Sequence, residues 1–144
     1  MTLKDLCRVI KNLGIKQKLI NYAGAGCSIG DLNPLTIADY PVLYCMPTGN
    51  HTVYVDFTRY ELTIYFIDRL LDDNSNSMDI FSTAVENLKN IIRGLKDMPG
   101  IVDVENTWTI RNFTSTEKLN DRTAGAYATV RISVDNEFIC YEEE

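Results

Sequence analysis

Histidine occurs once in this chain, at His51, so any Ser–His or Cys–His catalysis would have to run through that one ring. It stands between Asn50 and Thr52 in a stretch that reads as a turn, which suits a solvated imidazole. The four cysteines, Cys7, Cys27, Cys45 and Cys140, show no Cys-x-x-Cys spacing and no neighbouring histidine pair. Neither a zinc site nor a redox motif is therefore encoded locally, and buried free thiols are expected. The run Gly24-Ala25-Gly26-Cys27-Ser28-Ile29-Gly30 is glycine-rich, but it follows a helical stretch, whereas a phosphate cradle is aimed by a strand-to-helix turn. It reads as a flexible loop. Asp72-x-Asn74-x-Asn76 imitates the start of a calcium loop, yet Ser77 stands where that loop needs glycine and Thr83 where it needs a bidentate glutamate. A solvated turn with a helix cap explains the same residues. Tyr54, Tyr60 and Tyr65, with Phe57 and Phe66, could stack bases, but no basic run interleaves with them. Carboxylates are too abundant to single out an acid–base pair. No catalytic, metal or cofactor residue is assigned from these residue types.

The elements that would position these residues can be read from periodicity. Leu3, Leu6, Val9, Ile10 and Leu13 share one helical face, predicting a helix from about Thr2 to Leu13 with Thr2 as its cap. Gly14 either ends it or sits as a weak point before Ile15, Leu19 and Ile20. Ala23 to Asp39 reads as a loop, Pro41 to Met46 as a strand and Pro47-Thr48-Gly49-Asn50 as a turn. After it the apolar positions run on odd numbers (Val53, Val55, Phe57) and then on even ones (Tyr60, Leu62, Ile64, Phe66). One long strand bent near Thr58-Arg59 would account for the change, its first half projecting in a hairpin over about residues 48–58. A second helix follows the polar break at 72–77, with the stripe Ile80, Phe81, Ala84, Val85, Leu88, Ile91, Ile92 and Leu95, Asn76 as cap, Asp79 in the first turn, Lys96 in the last and Pro99-Gly100 as stop. Val102, Val104, Trp108 and Ile110 predict one strand and Ala128 to Val134 another, joined by a polar loop over about Asn112 to Ala124. The fold expected is α+β, one domain, with an antiparallel or mixed sheet of four to five strands against two main helices.

At 144 residues, 45% hydrophobic and 24% charged, the chain is the size and balance of one globular domain. No apolar run approaches the roughly 20 residues that span a bilayer, so a soluble chain with no membrane partner is expected. The first residues lack a signal-peptide core, which predicts synthesis and residence in a cytoplasm. A net charge of -6 disfavours phosphate binding over the surface as a whole, while it suits a wall past which DNA slides.

Taken in order, the first helix, Tyr40-Pro41 leading a strand, Tyr65-Phe66-Ile67-Asp68, the helix opening at Asp79-Ile80 and the closing strands resemble the tail-terminator, tail-completion and head–tail connector ring proteins of tailed bacteriophages. Phe113-Thr114 and Asp121-Arg122-Thr123-Ala124-Gly125 resemble the segment that precedes the last core strand there. The resemblance implies a non-enzymatic structural virion protein, made in the host cytoplasm, that closes into a homo-oligomeric ring at the head–tail junction or tail end. Its partners would be its own copies and neighbouring neck or tail proteins, with DNA passing non-specifically through the channel. Subunit contacts would fall on the hairpin (His51, Val53, Tyr54, Val55, Phe57), on Phe113, Lys118 and Arg122 around the long loop, and on Phe138 and Tyr141. The alternative from another class is a small cytoplasmic α+β enzyme or ligand-binding domain using carboxylates in a cleft.

Overall fold

In the computed structural model, which describes residues 1–17, 19–71, 73–114 and 122–138, Thr2 opens helix α1 (Leu3–Lys16) through a capping box. Its hydroxyl accepts from the Asp5 backbone N–H, and the Asp5 carboxylate accepts from Thr2 N, each at 3.1 Å, an arrangement worth about 1 kcal/mol. The helix runs through Gly14, because a Cβ there would overlap the Leu43 side chain. Close approach to a strand, not termination, is what requires that glycine. Beyond the helix end Ile20 is buried, while Ile15 and Leu19 stay exposed.

Among the described residues the sheet has six strands and is mixed. Strand β1 (Tyr22–Ala25) lies parallel to β2 (Val42–Val53), and β2 pairs antiparallel with β3 (Phe57–Arg69). β4 (Ile101–Val104), β5 (Ile110–Thr114) and β6 (Thr123–Asp135) complete it. β3 and β6 pair without a slip from Phe57↔Asp135 to Arg69↔Thr123, and β4 and β5 share the far edge of β6. Alternation sends Leu62, Ile64 and Phe66 of β3 and Val130, Ile132 and Val134 of β6 to one face. There α2 (Ser77–Leu95) covers them with its predicted stripe, in which Ala84, Leu88, Ile91, Ile92 and Leu95 are wholly buried. Each large side chain so buried contributes about 2 kcal/mol. The α+β expectation is met, with six strands where four to five were expected.

The segment read as a loop from Ala23 to Asp39 is instead built structure. Its first residues form β1, and two 3-10 turns (Ile29–Leu32 and Ile37–Asp39) follow. Ile29 and Leu32 bury against Val42, Tyr44 and Ile67 on the face opposite the helices. The glycine-rich run is not a flexible loop: Gly24 lies in β1, and Ser28 caps the first 3-10 turn through Gly30 N. Free thiols fit Cys7 and Cys45, which are buried with their Sγ atoms 3.9 Å apart, but Cys27 is exposed. Cys140 lies outside the described residues.

The hairpin is phased differently from the sequence expectation. β2 runs on through Pro47 to Asn50 with a register shift between Pro47 and His51, and Gly49 holds φ +91° within that bulge. The chain reverses at Tyr54-Val55-Asp56, so the parity change comes from the turn and no bend is needed at Thr58-Arg59. Asn76 stands at the head of α2 without capping it. Its side chain is occupied elsewhere, accepting from Leu71 N at 2.9 Å and donating to the Arg69 carbonyl at 3.1 Å. Lys96 is the residue after α2, and Arg93 supplies the last-turn cation.

Val102 to Ile110 forms two short strands, not one, and Val102 is exposed. Trp108 sits half-buried between them with its indole N–H buried and finding no acceptor among the described residues. The long loop is shorter than expected at both ends, because Asn112–Thr114 belong to β5 and Thr123–Ala124 to β6, paired Asn112↔Ala126 to Thr114↔Ala124.

Candidate interaction surface

The β2–β3 hairpin collects five of the ten residues expected at a subunit contact, His51, Val53, Tyr54, Val55 and Phe57. Tyr54 and Phe57 stack with centroids 4.5 Å apart, the Arg59 guanidinium lies 5.7 Å over the Tyr54 ring, and Tyr54 N donates to Phe57 O at 2.8 Å. Asn136, just past β6, donates to the Tyr54 and Val55 carbonyls at 3.0 and 3.2 Å and accepts from the Thr58 hydroxyl at 2.5 Å. These bonds fix the turn from the neighbouring strand. The apolar tip nevertheless faces water: Val53 is 75% exposed, Val55 94% and Tyr54 41%. His51 is exposed too, edge-on to Tyr60 at 5.0 Å.

Lower on the hairpin, Glu61 gathers Thr48 Oγ1 at 2.8 Å, Asn50 Nδ2 at 3.2 Å and Arg131 Nε at 3.3 Å. These donors, Thr48 foremost, hold its carboxyl below the usual glutamate range. At the other end of β3 burial pushes the Asp68 carboxyl upward, against the Arg69 N–H that donates to it at 2.8 Å.

The remaining expected contact residues scatter. Phe113 lies half-buried on the sheet face away from the helices, 6.2 Å from both Tyr65 and Tyr127, and those two tyrosines are 5.4 Å apart. Arg122 donates to the Asn74 side chain. Phe138 is half-buried against the main core beside Gly100, so its ring is committed internally. Lys118 and Tyr141 lie outside the described residues.

The tyrosines considered as base-stacking residues separate onto different surfaces, Tyr54 at the tip, Tyr60 against the main core and Tyr65 on the opposite face. There Tyr65 joins Tyr127 and Phe113, which come from strands remote in sequence, and the registers put Arg111 beside Tyr127. No linear motif announces that grouping. On the same face Tyr44 donates to Ser28 O and Asp31 Oδ2, each at 3.0 Å, and burial together with Asp31 pushes its hydroxyl up to about 12.

Among the described residues no three of His, Cys, Asp and Glu are grouped as metal ligands, and no helix is long and apolar enough to cross a membrane. Three open grooves of 300, 240 and 440 Å³ run along α2, the largest lined by Gln17, Leu19, Thr83, Glu86, Asn87 and Asn90 among others. No protein-family model matches this chain, and no curated protein matches it in sequence.

Proposed function

We propose that this chain is a non-enzymatic structural subunit of a tailed-phage virion, closing into a homo-oligomeric ring at the head–tail junction or tail end. The observation that carries the reading is the hairpin tip, an ordered apolar knob (Val53, Tyr54, Val55) held out in water by the bonds from Asn136. Exposed apolar groups on a fixed turn cost nothing to pre-order for docking, and a projecting element that seats on a different surface of the next copy generates rings when the rotation closes. The acidic balance of -6 suits a wall from which DNA does not bind tightly.

Light scattering on the eluting protein tests the ring. The expected mass is a multiple of 16.3 kDa, and Val55→Asp is expected to return it to that single-chain value with unchanged melting, because Val55 is exposed. Monomeric behaviour up to high concentration, together with absence of the chain from purified particles, would refute the reading. The competing enzyme or ligand-binding role would show instead as turnover or saturable small-molecule binding that a single carboxylate substitution abolishes.

A further inference from the structure

We infer that the sheet face opposite the helices is a docking surface for single-stranded nucleic acid, centred on Tyr65, Tyr127 and Phe113. This rests on the face itself and not on the ring reading. Residues paired across antiparallel strands share a face, so the registers place Arg59, Arg69, Arg111 and Arg131 on the same side as the three rings. Four of the seven arginines of an acidic chain are thereby gathered onto one sheet face.

The charges are not spread evenly. The carboxylates of this face on and next to the strands, Glu61, Asp103, Glu105 and Asp135, lie toward the hairpin, Glu105 with its backbone N–H on the Arg131 carbonyl, and Glu61 is already engaged by Thr48, Asn50 and Arg131. Around the rings the described strand positions are Thr63, Thr129, Gly125 and Arg111, without a carboxylate. Asp31, on the 3-10 turn covering the neighbouring part of the face, is taken by Tyr44.

Half-exposed rings offer planes on which successive bases stack regardless of sequence, and guanidinium groups beside them meet the phosphates. Arg111 is the exposed cross-strand neighbour of Tyr127, while Arg131, four residues along β6 on the same side and about 13 Å away, is paired with Glu61. Arg111 therefore flanks the rings laterally and is the cation that meets a phosphate. Duplex DNA keeps its base faces stacked and inaccessible, so the preference is for single strands.

The test is fluorescence anisotropy of a labelled oligothymidylate with the full chain at low salt. Saturable binding is expected, and with one phosphate contacted by Arg111 it weakens about threefold between about 20 and about 100 mM salt. Arg111→Glu and Tyr127→Leu are each expected to weaken it about tenfold, Tyr127→Phe to restore it, and Arg93→Glu, on the exposed side of α2, to leave it unchanged. Because Arg111 is exposed, its variant keeps the fold and reports on binding even if Tyr127→Leu does not fold. Absence of binding at low salt, equal affinity for a duplex of the same length, or binding indifferent to Arg111 and to the ring at 127 would overturn the inference. Capture of a poly-glutamate peptide in place of the oligonucleotide would also overturn it, assigning the face to an acidic protein.

Discussion

Two carboxylates on β3, seven residues apart, have opposite senses of pH dependence. Glu61 has its folded pKa lowered, so its contribution is fully present above its unfolded value near 4.5 and is lost as pH falls through the folded one. Glu61→Gln should therefore melt below the parent at neutral pH, by less than about 1 kcal/mol for an ion pair so near the surface, with the gap closing in acid. Asp68 has its folded pKa raised, which costs stability at neutral pH and relieves that cost as pH falls through the raised value. Asp68→Asn should melt above the parent at pH 7 and equal it below about pH 3.8, the unfolded value; a destabilised variant at pH 7 would refute the sign. Gly125 faces the Phe66 carbonyl so closely that a Cβ would collide with backbone. Unlike the overlap at Gly14, no flexible side chain can yield, so Gly125→Ala is expected to cost about 3 kcal/mol in denaturant titration.

At the scale of elements, legibility followed periodicity. The stripe of α2 was readable because a helix against a sheet repeats its apolar positions on one side, and Leu88→Ala is expected to cost about 3 kcal/mol by the cavity it leaves. The outer half of β2 was misread because residues 48–53 are exposed and carry no alternation. Pro47 and Gly49 serve a bulge with the same chemistry that serves a turn. β1 escaped notice because Tyr-Ala-Gly-Ala is short and has little side chain to pattern. The hairpin is legible as a projecting element, although its reversal falls at Tyr54 to Asp56. The ring-and-arginine face was not legible, since Tyr65, Arg111, Phe113 and Tyr127 meet only once strand order is known.

Considered whole, the molecule has two unlike faces on one sheet. The side under the helices is sealed, and among the described residues the other is covered where the 3-10 turns pack on β2 and β3. The self-association proposed for the hairpin and the nucleic-acid contact proposed for the open face use different residues, so Val55→Asp should abolish the first without weakening oligonucleotide binding per chain. Loss of both together would mean that the open face is completed only in the assembly.

Trp108, the chain's single tryptophan, fills the interruption between β4 and β5, and its indole N–H finds no partner among the described residues. Its emission is therefore a local optical gauge of that sheet edge. If the edge frays before the rest, water reaches the indole and the spectrum moves to longer wavelength while the far-ultraviolet signal of α2 persists. Superimposed thermal traces from the two probes would mean instead that the edge and the helix melt as one cooperative unit.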